Sequence, residues 1–178
     1  LSLDVANLPR LAGVPLQMPG GAVANWLDRR LHLQHGPIDL IISADGAPEV
    51  VINAFAQAAD AFDGLLATLV EELPILRAPA NASPRPKLEG LVAKRMDEAI
   101  RPHLHRYESA DFITPMVAVA GSVADYILDA MGGGLDRAIV NNGGDIALHL
   151  SEGTFFDIGI ADDRDVCFSN FTKKASGK

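Results

Sequence analysis

One stretch constrains this chain more than any other: an apolar helical face that stops at three glycines, followed by two strands joined through Asn141-Asn142-Gly143-Gly144-Asp145. Met116, Val119, Ala120, Val123, Ala124, Ile127, Leu128 and Met131 recur at intervals of three and four, the spacing of one buried face, and predict a helix over 115–131. Gly132-Gly133-Gly134 ends it, since glycine enters the left-handed C-cap at no steric cost. Residues 137–140 read as a buried strand and 146–150 as an alternating one. A bare hairpin needs only two turn residues. Two amides, two glycines and an acid exceed that need and predict a loop kept for a ligand.

The rest of the chain supplies elements to pack against this unit. Residues 1–25, with Pro9, Pro15, Pro19, Gly20 and Gly21, read as an extended arm with short strand pieces packing through Leu8, Leu11 and Leu16. From Trp26 the structure becomes clearer. Leu31, Leu33 and His35 share one strand face, His32 and Gln34 the other, and the nearly all-apolar 38–43 reads as a central strand closed by Asp45-Gly46. A long helix from Pro48 carries Val51, Phe55, Ala58, Phe62, Leu65, Leu66, Leu69 and Leu73 inward until Pro74 stops it. Residues 77–87 form a proline-rich loop. A shorter helix over 88–100 turns Leu91, Val92, Met96, Ala99 and Ile100 inward and ends at Pro102. Residues 154–160 read as a strand, 166–168 as a last strand, and 172–178 as a frayed polar tail. Strands before and after three helices predict an α+β fold, with helices packed on a mainly antiparallel sheet.

Composition sets the outer limits. At 178 residues the chain suits a single domain with one buried core. Its net charge of −8 argues against nucleic acid, whose phosphates call for a basic face. The lone Cys167 precludes an internal disulfide and fits a reducing, cytoplasmic setting. No apolar run is read as a membrane span, and no signal pattern opens the chain.

Two constellations can carry chemistry. In Asn142-Gly143-Gly144-Asp145 the bare glycine amides can approach a phosphate or a flat ring, and Asp145 can orient a hydroxyl or help hold magnesium. At the head of the 115–131 helix, Thr114-Pro115 offers a capping hydroxyl and an anion-binding terminus. Gly121, within that helix, points to close approach by backbone or ligand. The two motifs are expected to meet in space. The histidine pairs His32/His35 and His103/His105 do not have metal-site spacing, although His35 before Gly36-Pro37 can face a ligand.

The pattern Ala-x-Ala-Gly-Ser-x-Ala-Asp at 118–125, followed by Asn142-Gly143-Gly144-Asp145, resembles the ApbE-like superfamily, whose best-known members transfer FMN from FAD to a protein threonine with magnesium. The phrases 30–40 and Ile113-Thr114-Pro115-Met116 resemble its less characterised soluble branch. The resemblance spans roughly 26–160 and implies FAD or FMN at Thr114, Met116, Gly121, Asn142, Gly143, Gly144 and Asp145, with magnesium at Asp145. It also implies an acceptor protein as partner and leaves room for a homodimer. Ala120 stands where the flavin transferases have lysine, and Asp125 where they have a helix aspartate. No segment matches their C-terminal aspartate and threonine, so a domain short of the full family fold is expected. The resemblance therefore carries a second implication from a different class: a non-catalytic accessory protein, as in sulfur assimilation, to which that branch has been linked.

Overall fold

A computed structural model describes residues 15–81, 87–104, 113–158 and 173–174. Its centre is a six-stranded sheet whose spatial order follows the chain: β1 (Leu16–Gln17), β2 (Val23–Leu27), β3 (Arg30–His35), β4 (Ile38–Gly46), β5 (Leu135–Asn142) and β6 (Asp145–Leu150). Every neighbouring pair is antiparallel. Among the described residues the α-helices all come between β4 and β5: α1 (Pro48–Phe62), α2 (Leu65–Glu71), α3 (Leu73–Leu76), α4 (Leu91–Leu104) and α5 (Val119–Ala130). The fold is α+β, as expected. A separate pair joins β7 (Asp157–Ile158) to β8 (Lys173–Lys174).

Strand parity decides which face the helices cover. Register aligns Ala24 with Leu33, Leu33 with Leu40, and Leu40 with Asn142; in the next row Trp26, Leu31, Ile42, Val140 and Ala147 follow one another across the sheet. These rows pack against α1 and α5, all but the half-buried Trp26 being buried, with Phe55, Phe62, Val123, Ile127 and Met131 completing the core. The ring of Trp26 meets Phe55 edge-on at 5.1 Å between centroids. On the opposite face Arg137 pairs with Asp45 at 2.6 Å and donates to the Phe155 carbonyl at 3.1 Å. Its guanidinium also lies over the Phe156 ring.

Several expected boundaries change. The long helix from Pro48 is three pieces, because Gly64 adopts a left-handed φ of 84° between α1 and α2. Pro74 does not stop a helix but lies in the first turn of α3, where its missing N–H costs nothing. The stretch Pro48–Glu71 does reach the length and mean hydropathy (1.2) of a spanning helix, contrary to the sequence reading. Its apolar side lies in the core, through Ala54, Phe55, Ala58, Ala59, Phe62, Leu65 and Leu69. In α4, Pro102 falls in the last turn rather than ending the helix. Leu91 and Ala99 face outward, and the buried stripe is Val92, Ala93, Met96 and Ile100. Leu16 is exposed, so it does not anchor the arm. Residues 154–156 are not a strand, and Lys173–Lys174 pair in β8 instead of fraying. The remaining expectations for 1–14, 82–86, 159–172 and 175–178, including Cys167, lie outside the described residues, as does His105.

Two carboxylates clamp these pieces from a distance. Asp63, at the α1–α2 junction, accepts the Gly20 N–H with both oxygens at 2.8 Å. Glu72 accepts the N–H groups of Glu89 (2.6 Å) and Gly90 (3.0 Å) at the entrance to α4, in place of a local cap.

Candidate functional site

The two motifs converge. Asn142 sits on the inner face of β5, because strand parity puts 138, 140 and 142 on one side. It is 8% exposed, and its side-chain amide donates to the Ala120 carbonyl in the first turn of α5 at 3.1 Å. Gly121 follows immediately in the helix. A Cβ built on Gly121 meets no atom within 4 Å, so tight packing by the protein is not why glycine stands there. The space over it is open.

The loop itself is tighter than its composition predicts. Asn141 and Asn142 belong to β5 and Asp145 to β6, with Asn142 registered opposite Asp145. The turn is therefore Gly143-Gly144 alone, with φ of 62° and 112°, the positive values of a two-residue hairpin turn. Two residues close the hairpin, and none is left over for a ligand loop. The sequence reading also missed the part played by Asn141: its side-chain oxygen accepts the Gly144 N–H at 2.9 Å. That amide is engaged and does not point at a phosphate. Two consecutive amides ahead of Gly-Gly were the available signal, one turned to the turn and the other to the helix. Asp145 shares the inner face with Asn142 and is exposed, and its side chain makes no hydrogen bond or ion pair among the described residues.

The helix entrance differs as well. Pro115–Ala118 forms a 3₁₀ turn before α5, and the Thr114 hydroxyl makes no capping bond. Thr114 instead accepts the Val117 N–H through its carbonyl, and Val119 donates to the Met116 carbonyl, so those amides are not free for an anion. The 3₁₀ turn packs on α4, and the half-buried Met116 packs against the core. Of the expected site residues, Gly121, Asn142, Gly143, Gly144 and Asp145 come together through the Asn142–Ala120 bond and the turn, and Thr114 and Met116 lie at the entrance turn that packs on α4.

The family model described as AbpE bacteria matches residues 24–176, which include every one of these positions. The chain belongs to the AbpE bacteria family. No curated protein and no solved structure matches it. In this AbpE bacteria chain the helix acid Asp125 turns away from the turn and lies 3.7 Å from Arg95 of α4, whose other nitrogen meets Asp129 at 2.5 Å. His32 pairs with Asp39 at 2.9 Å on the outer face. The His35 Nδ1 is buried without a partner among the described residues, and the other side of its ring lies next to Gly21. Among the described residues, hollows elsewhere include one of about 500 Å³ beside Leu88, Lys94 and Arg101, and one of about 330 Å³ beside Trp26, Arg29 and Phe55.

The residues can be tested against a magnesium-bearing nucleotide. Among the described residues no three His, Cys, Asp or Glu side chains gather, so no ready-made metal cage is present there. A single unengaged carboxylate beside open space suits a magnesium ion that arrives on phosphates and keeps most of its water. Asp145 would hold it, and the ion would neutralise phosphate charge.

Proposed function

We propose that this chain is an ApbE-like protein that binds a flavin or related nucleotide in the angle between the start of α5 and the β5–β6 turn. The observation that supports it is the open space over Gly121, set beside the turn by the bond from Asn142 to Ala120. A flat ring can lie against that bare backbone, where any larger residue would project a side chain. Asp145, exposed and without a partner, can accept a ligand hydroxyl or hold a magnesium–phosphate group. The Asn142 amide keeps helix and turn in register and is a positioning group.

Binding without FMN transfer is the second reading, favoured by Ala120. It stands where the flavin transferases carry lysine, and its own carbonyl is taken by Asn142. A methyl group cannot supply the point charge that lysine brings to a phosphate. Titrating FAD into wild type, Asp145→Asn and Gly121→Val, each with magnesium and with chelator, tests binding. Loss of a charge-assisted bond at Asp145 weakens metal-dependent affinity by about one to two decades, and Gly121→Val abolishes binding. Equal affinities across all variants and conditions would remove the site. Incubation with FAD, magnesium and a threonine-bearing acceptor then separates the readings: covalent FMN on the acceptor supports the transferase, its absence the accessory protein.

A further inference from the structure

Among the described residues the sheet's two edges are built differently. Edge strands present unpaired backbone groups, and proteins blunt them with short strands, lysine, proline or bulges. At one edge β1 is only two residues long. At the other, β6 has six residues, Asp-Ile-Ala-Leu-His-Leu, with no lysine, no proline and an unbroken register against β5. Its outer row, Ile146, Leu148 and Leu150, is 54%, 45% and 44% exposed. The tight turn closes on Asn142 opposite Asp145, so alternate residues 145, 147 and 149 hydrogen-bond toward β5. The backbone groups of Ile146, Leu148 and Leu150 point off the edge.

The two ionisable side chains of β6, Asp145 and His149, share the other row, one on each side of Ala147. That arrangement is self-complementary. Antiparallel pairing centred on Ala147 sets Asp145 opposite His149 of the partner subunit, and Ile146 opposite the partner's Leu148. It also matches outward-pointing backbone groups to outward-pointing ones. Sliding the register by two residues would set Asp145 against Ser151 of the partner subunit and lose the charge match. The His149 Nε2 lies 3.1 Å from the Leu135 carbonyl, so a protonated ring that donates there keeps its Nδ1–H for a carboxylate.

We propose that β6 pairs with β6 of a second copy about a twofold axis at Ala147, forming a homodimer with one continuous sheet. Ile146, Leu148 and Leu150 of the two subunits then lie side by side on one face of the joined sheet, the same patch from each, as an isologous interface requires. This inference does not depend on the nucleotide reading, although it brings His149 of the partner subunit beside Asp145.

Sedimentation equilibrium of the full chain over a wide dilution series tests it. Wild type is expected as a reversible dimer, and Leu148→Lys as a monomer. His149→Asp sets two carboxylates against each other twice per dimer, and Asp145→Lys removes the acid that His149 of the partner subunit faces; each raises the dissociation constant about tenfold or more. The double variant Asp145→Lys/His149→Asp reverses the pair and regains dimerisation, an outcome that damage to the fold cannot mimic. A wild-type monomer at every dilution, a dimer unaffected by Leu148→Lys, or a double variant no tighter than the singles would each overturn the proposal.

Discussion

Gly121 shows what one residue does and does not reveal. In a helix, glycine signals a cost of roughly 1 kcal/mol relative to alanine, which was legible in the sequence. Its reason was not, because a close backbone contact and an empty space call for the same residue. The structure decides between them, since a Cβ there meets no atom within 4 Å. Gly121→Ala is therefore expected to raise stability by about 0.4–1 kcal/mol, seen as a higher urea midpoint with unchanged slope. A lower midpoint would mean that packing, not access, holds the glycine. Asn142 was equally half-legible. Its type and place beside Gly-Gly marked it for a role, but its inward direction and its acceptor, the Ala120 carbonyl, became known only with β5 running to Asn142 and α5 docked on it.

Among the elements, periodicity read the central helix and strands well, and it erred where a local interaction outweighed pattern. The apolar stripe from Val51 to Leu73 was real, but Gly64 divides it, and a stripe does not report a break that preserves its phase. The β5–β6 hairpin erred in the other direction. Its amides and acid looked like loop and proved to be strand ends, because Asn141 and Asn142 each found a partner that lets the ladder run to the turn. The turn's two glycines should then respond unequally to substitution. Gly143, with φ of 62°, lies in the left-handed region that asparagine tolerates, so Gly143→Asn should be nearly neutral. Gly144, with φ of 112°, lies where side chains are strained, and Gly144→Ala should cost about 1–3 kcal/mol. Thermal unfolding of both variants checks the asymmetry; equal losses would mean that the turn relaxes into another type.

At the scale of the molecule, fold class followed from element order, whereas the ties between distant elements did not. The clamp of Asp63 on Gly20 joins residues 43 positions apart and leaves no trace in local pattern. A Cβ on Gly20 would lie 2.6 Å from the Gly64 backbone nitrogen, so Gly20→Ala should cost about 1–3 kcal/mol by overpacking. Differential scanning calorimetry would show a fall in Tm; an unchanged Tm would mean the β1–β2 connection moves aside freely. The insertion of α1 to α5 between β4 and β5 has its own consequence, and it falls on the ribosome. Gly46 pairs with Leu135, so the nascent chain must synthesise the whole helical layer before β4 acquires its second neighbour. During that interval Leu40 and Ile42 belong to a strand with one open side, a period in which a chaperone's grip would matter most.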